Sequence, residues 1–265
     1  MNEILKFKNS IINFSDEGSG NPLILLHGYL ESLRIWDNFS PLISDQYRVI
    51  RIDLLGHGKS EFLEDTASME LMAESVQFVM DYLNIGKAFL IGHSLGGYVT
   101  LAFLDLFPER LTGFCLFHSQ PFADTPETIE KRKREITLVQ KGKKDVIFNL
   151  NIPNAFANDN LEKFKREIEY AKNIARNTSD SGIIAALYGL MTRPDRSRVL
   201  EETKLPFLWI LGKKDNYIPF KVIMQKVKLP VNSKMVTLSD SGHQGFIEEE
   251  EISTKVLKDF LSEMN

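Results

Sequence analysis

Along the first 117 residues, short apolar runs alternate with longer stretches whose apolar positions recur every three or four residues. That rhythm predicts a mostly parallel sheet covered by helices, because a strand buried on both faces reads as a continuous apolar run and its crossover reads as an amphipathic helix. Residues 4–7 and 11–14, separated by Lys8-Asn9-Ser10, form the opening hairpin. Residues 23–26, 47–52, 88–91 and 114–117 are the next strands. Met72, Val76, Val79, Met80 and Leu83 mark one helix, and a second runs from Ser94 to Phe107, where Pro108 ends it.

After Phe117 the rhythm breaks. Residues 118–191 read as helical and charged, with apolar stripes at Ile129, Ile136 and Val139 (Arg132 falling within the stripe), at Leu161, Phe164, Ile168, Ala171 and Ala175, and at Ile183, Ile184, Leu187 and Leu190. Strands return at 206–211 and 234–238, and a last helix carries Ile252, Val256, Leu257 and Phe260. The chain is therefore divided into an α/β core, residues 1–117 and 192–265, and a helical cap inserted at 118–191.

Composition narrows the class only slightly. A chain of 265 residues with 43% apolar and 26% charged residues suffices for a large core without metal or disulfide. Its single cysteine, Cys115, lies in an apolar run and reads as a small buried hydrophobe. A net charge of −4 gives no reason to expect nucleic acid. No apolar run is long enough to span a bilayer and residues 1–14 hold no secretory core, so a cytoplasmic protein is expected and the Asn38 and Asn177 glycosylation patterns are read as chance. Oligomeric state, monomer or dimer, is left open.

The chemistry concentrates at the strand ends. Gly92-His93-Ser94-Leu95-Gly96 follows an apolar run and opens a helical one. A strand turning sharply into a helix would make side chains two residues either side of the serine collide, so glycines are needed there. Ser94 is then the candidate nucleophile, with the backbone N–H of Leu95 beside it. His27-Gly28-Tyr29 follows an earlier strand, and its turn directs the Tyr29 N–H into the same place, giving a two-donor oxyanion hole. His27 holds that turn. Asp53 to Ser60 forms a tight turn whose aspartate caps amides, with His57 a member of it. An ordinary Gly-rich turn remains the plainer reading of each motif alone.

An acid and then a histidine must follow the nucleophile. Asp215, after a strand and a glycine turn, supplies the acid, with Asp124 as its competitor. His243, in Ser241-Gly242-His243-Gln244-Gly245, supplies the base, and the glycine before it is read as freeing the imidazole to swing. His93 is read as tied to the turn backbone and His118 as core packing. Lys131 to Arg134 reads as a solvated helix face. Phe156, Phe164, Leu187, Tyr188 and Met191 pack the cap, and where they reach the site they favour a fairly apolar substrate.

Together HGYL, DLLGHGKS, GHSLGG and the late Asp215 with SGHQGF occur in one order over residues 27–243 and resemble the α/β-hydrolase fold family. The layout is similar to bacterial esterases, enol-lactonases and related small cap-bearing hydrolases. The resemblance implies an eight-stranded, mostly parallel sheet and a lid inserted after the sixth strand. The expected function is hydrolysis of an ester, lactone or thioester of a small molecule through an acyl-enzyme, with no cofactor and no metal. A small-ligand receptor or stress-signalling regulator with slow hydrolysis is the alternative.

Overall fold

The computed structural model describes residues 2–264. Eight strands form one sheet in the order β1-β2-β4-β3-β5-β6-β7-β8. β1 (Asn2–Phe7) and β2 (Ser10–Glu17) form the expected antiparallel hairpin, with Phe7 opposite Ser10 and Lys8 in the left-handed region at the turn. β2 is antiparallel to β4 (Arg48–Ile52), whereas β3 (Pro22–Leu26), β4, β5 (Ala88–His93), β6 (Leu111–Phe117), β7 (Phe207–Gly212) and β8 (Ser233–Leu238) are parallel neighbours.

Alternation along the strands fills two cores. Ile24, Leu26, Leu90, Leu116 and Trp209 face a cluster with α1 (Met69–Tyr82) and α2 (Leu95–Leu106). Leu23, Leu25, Ile91, Cys115 and Ile210 face the other, with Trp36, Phe246 and Phe260. This is why the strands read as unbroken apolar runs: both faces are covered. Cys115 is fully buried, as expected.

Between β6 and β7 the chain is helical, as its periodicity predicts, but divided differently. α3 (Pro126–Gln140) buries Ile136 and Val139. α4 (Lys144–Asn154) has no clean stripe and is not legible as a helix from spacing. The Leu161 to Ala175 stripe splits, because α5 (Lys165–Arg176) begins only after Phe164, while α6 (Asp180–Thr192) buries Ile183, Leu187 and Leu190. α7 (Ser197–Glu202) and α8 (Phe220–Lys226) are short additions, and α9 (Gly245–Glu248) leads into α10 (Glu250–Ser262).

One topological fact locates the site. From β3 the chain steps to β4 on one side and then crosses to β5 on the other, so the strand order reverses between β3 and β5. In open parallel sheets the crevice outside the carboxyl ends at such a reversal is where ligands bind.

Candidate active site

Ser94 sits at that crevice, between β5 and α2, with φ 48° and ψ −109°. This backbone geometry is costly for a residue with a Cβ. It is held from both sides: the Ser94 N–H donates to the Phe117 carbonyl at 3.0 Å, and the Ser119 hydroxyl donates to the Ser94 carbonyl at 2.8 Å. The flanking glycines are obligatory. A Cβ on Gly92 would stand 2.3 Å from the Gly96 carbonyl oxygen, and one on Gly96 would stand 2.3 Å from that of Leu26.

The first of the two predicted oxyanion donors, Leu95, is the first residue of α2, so its N–H has no carbonyl to serve within the helix. In the β3 loop, Gly28 gives its own N–H to Glu31 Oε2 at 2.6 Å, and Leu30 takes a positive φ of 64°. Tyr29, Leu95 and Ser94 all line one cavity of about 330 Å³.

The acid and base meet. His243 Nδ1 lies 2.8 Å from Asp215 Oδ2, while Oδ1 accepts the N–H groups of Tyr217 and Ile218. With Nδ1 on the carboxylate, Nε2 is the nitrogen left to accept a proton. Burial alone would raise the Asp215 pKa, but the His243 charge and hydrogen bonds from His118 and His243 drive it well below the carboxylate range. Burial alone would lower that of His243, yet the Asp215 charge and hydrogen bond raise it above its ordinary value. His243 lines the same cavity as Ser94. The Ser94 hydroxyl has no hydrogen-bond partner among the described residues, a common looseness in sites without substrate.

Other expectations change. His93 is not tied to the turn backbone; its Nδ1 meets Glu31 Oε2 and its Nε2 meets the His243 carbonyl, each at 2.9 Å. Burial would raise the Glu31 pKa, but His93 and the hydrogen bonds from His93, Gln244 and Gly28 lower it to about 2. A buried polar network thus backs the His243 loop. His118 does more than pack: its Nε2 accepts the Gly245 N–H, and its Nδ1 is 3.4 Å from Asp215. Gly242 does not free the imidazole. A Cβ there would lie 2.5 Å from the Ala157 nitrogen, and the His243 N–H is bound to the Ala155 carbonyl at 2.6 Å. The loop is clamped to the end of α4, with Glu248 accepting from Gly242, Ala157 and Asn160. Glu31, Gln244 and Glu248 carry no local sequence signal, since only the fold sets their partners.

The turn residues behave as read. His27 donates from Nδ1 to the Gly28 carbonyl and accepts the Leu54 N–H, with burial lowering its pKa to about 4. Asp53 accepts from Leu33 and Lys59. Asp124 contacts no histidine but pairs with Arg132 and Arg193. Phe156, Phe164, Leu187, Tyr188 and Met191, read as packing the cap, do not line the cavity.

His118, Asp215 and His243 bring possible ligand atoms within 4.8 Å of one another, the only such trio of His, Cys, Asp or Glu among the described residues. In this trio His118 Nε2 accepts the Gly245 N–H and His243 Nδ1 bonds directly to Asp215. No helix among the described residues is long and apolar enough to cross a membrane.

Comparison with known proteins agrees with this geometry. The chain matches the α/β-hydrolase fold over residues 21–250. It belongs to the α/β-hydrolase family of enzymes. This α/β-hydrolase is 28% identical over 261 residues to a 2-hydroxy-6-oxononadienedioate/2-hydroxy-6-oxononatrienedioate hydrolase of Burkholderia vietnamiensis, covering 94% of this chain and 90% of the relative. The Escherichia coli (strain K12 / DH10B) protein of the same name is 28% identical, with 95% and 91% covered. Among solved structures, a thermophilic esterase from Thermogutta terrifontis superposes with a TM-score of 0.94 at 27% identity, covering 100% of this chain and 99% of that one. The enol-lactonase from Burkholderia xenovorans LB400 shares the fold, with a TM-score of 0.91 at 21% identity over 98% of this chain and all of that one.

Proposed function

We propose that this α/β-hydrolase is a cofactor-independent serine hydrolase that cleaves an ester, lactone or thioester of a small molecule. Ser94 is the nucleophile, His243 the general base and Asp215 its orienting acid. The observation that carries this reading is the 2.8 Å bond between His243 Nδ1 and Asp215, on a ring that shares one cavity with Ser94.

His243 Nε2 takes the Ser94 proton as the hydroxyl oxygen attacks the carbonyl carbon. The carbonyl electrons collect on oxygen, which the Tyr29 and Leu95 N–H groups stabilise; each such donor contributes roughly 10²–10³ in turnover. The imidazolium returns its proton to the leaving group, leaving an acyl-enzyme. Water repeats the sequence and releases the acid. Asp215 holds the tautomer and steadies the imidazolium. Residues 118–191 act as a cap over this site, with Asn151, Ile152 and Ala155 on the cavity wall. The names of the relatives support hydrolysis as the reaction class, and their hydrolase name and the esterase name bracket the range of bonds.

A panel of short esters and lactones tests the reading. Repeated turnover that falls by at least about 10³ in Ser94→Ala is expected, as is a fluorophosphonate adduct on Ser94 of the unaltered protein. One slow event per molecule would instead mark a ligand receptor, and unchanged turnover in Ser94→Ala would remove Ser94 from the chemistry.

A further inference from the structure

α3 turns two different faces inward. Ile136 and Val139 join the apolar core, whereas Thr128, Lys131, Arg132 and Glu135, spaced i, i+3, i+4 and i+7, line the cavity that holds Ser94. This α3 side of the cavity is a poor surface for an aliphatic chain, because burying unpaired polar groups against hydrocarbon costs free energy, whereas Ile152, Leu190 and Ile218 line it elsewhere.

Arg132 is the organised member of this wall. Its Nε and Nη2 both donate to the Asp124 carboxylate, and Arg193 donates to the same carboxylate through Nη1 at 2.6 Å. The Asp124 and Arg193 side chains are each 2% exposed, so the arrangement is fixed from behind rather than floating in solvent. The Arg193 guanidinium also stands 4.0 Å from the centroid of the Tyr98 ring, itself on the cavity. Two guanidiniums thus share the one Asp124 carboxylate, leaving one positive charge in excess within this trio. Among the described residues no acceptor is bonded to Arg132 Nη1. Across the same cavity the Tyr29 hydroxyl is buried with no hydrogen-bond partner.

We propose that this wall is an anion subsite and that the substrate carries a carboxylate besides the bond to be cleaved. Arg132 receives the carboxylate, and the Tyr29 hydroxyl donates to the same group. A planar guanidinium pre-set by Asp124 suits a planar oxyanion and loses little side-chain freedom on binding it. A cavity of about 330 Å³ is at the small end of ligand sites, which fits a compact acid better than a long acyl chain. The inference rests on the hydrolase reading for the bond cleaved, but not for the binding of the anion.

The test compares monoethyl esters of succinic, glutaric and adipic acid with neutral esters in which an isopropyl group replaces the free carboxylate. For at least one length the charged ester is expected to show a kcat/KM ten-fold or more above its neutral partner. Arg132→Gln is expected to cut that ratio at least ten-fold, and Arg132→Lys to restore part of it while showing that the site still folds. A ratio of one or below in the unaltered protein, or a ratio that Arg132→Gln leaves in place, overturns the subsite. Calorimetry of the free dicarboxylates on Ser94→Ala separates the two readings. Binding to Ser94→Ala that adding Arg132→Gln weakens ten-fold, while the unaltered protein turns over no ester, keeps the subsite and defeats hydrolysis. Turnover without any dicarboxylate binding does the reverse.

Discussion

His118 Nδ1 stands 3.4 Å from Asp215 Oδ2, on the side of the carboxylate that also receives His243. The Gly245 N–H can only donate, so His118 Nε2 must accept and the single proton of the neutral ring resides on Nδ1, facing Asp215. Burial holds the ring neutral by lowering its pKa to about 4. His118 is therefore a positioning residue behind the acid, outside the cavity lining. His118→Leu stays close to the volume of the imidazole but removes both interactions. Turnover should fall about ten-fold with KM little changed, and the acid limb of the pH–rate profile should move upward, because an Asp215 charge with one donor fewer favours the imidazolium more. An unmoved pH limb would reduce His118 to packing.

With His243 as the proposed base, the pH dependence of the reaction follows from this ring. Its pKa is raised above the ordinary 6.5 and only the neutral ring can accept the Ser94 proton. Activity should therefore rise with pH through a midpoint above 6.5. A kcat/KM profile that is flat from pH 5 to 8 would be incompatible with His243 as base.

Stability should respond to acid in a separate way. Burial lowers the pKa values of His27 and His118 to about 4 and that of His57 to about 3. Below pH 6.5 the unfolded chain binds protons at these three positions while the folded one does not, so stability falls with pH at up to about 1.4 kcal/mol per group per pH unit. His243 runs the other way, but its contribution is already complete below its unfolded value and cannot offset the further loss. Urea midpoints at pH 7 and pH 5 should differ by the equivalent of several kcal/mol, and His27→Gln should reduce that difference.

Gly96→Ala places a methyl group 2.3 Å from the Leu26 carbonyl oxygen, a backbone atom that cannot step aside. The variant should lose at least about 2 kcal/mol of stability as well as activity. Gly86→Ala is the control, since a Cβ there meets nothing within 4 Å. Equal denaturation curves for the two variants would contradict the packing described at the nucleophile turn.

The core strands, α1, α2 and the order of Ser94, Asp215 and His243 could all be read from the chain. Apolar periodicity is set residue by residue, and the glycines at 92 and 96 are dictated by a collision between near neighbours. α4 escaped because the exposed apolar residues Val146 and Leu150 blur the face that buries Ile147, Phe148 and Ile152, and Pro153 lies inside the helix. The wall of the cavity was misjudged for a related reason. Apolar stripes mark what packs, and here Ile152, Ala155 and Leu190 share the cavity wall with the polar face of α3.

The amino-acid order thus determined the α/β architecture and the turn chemistry at each strand end, because those depend on contacts close in sequence. That His118 also approaches Asp215, what binds His93, and why Gly242 is a glycine were decided only in three dimensions. Each depends on the parallel strands delivering loops from distant segments to one edge, where burial forces every donor and acceptor to find a partner the linear chain does not name.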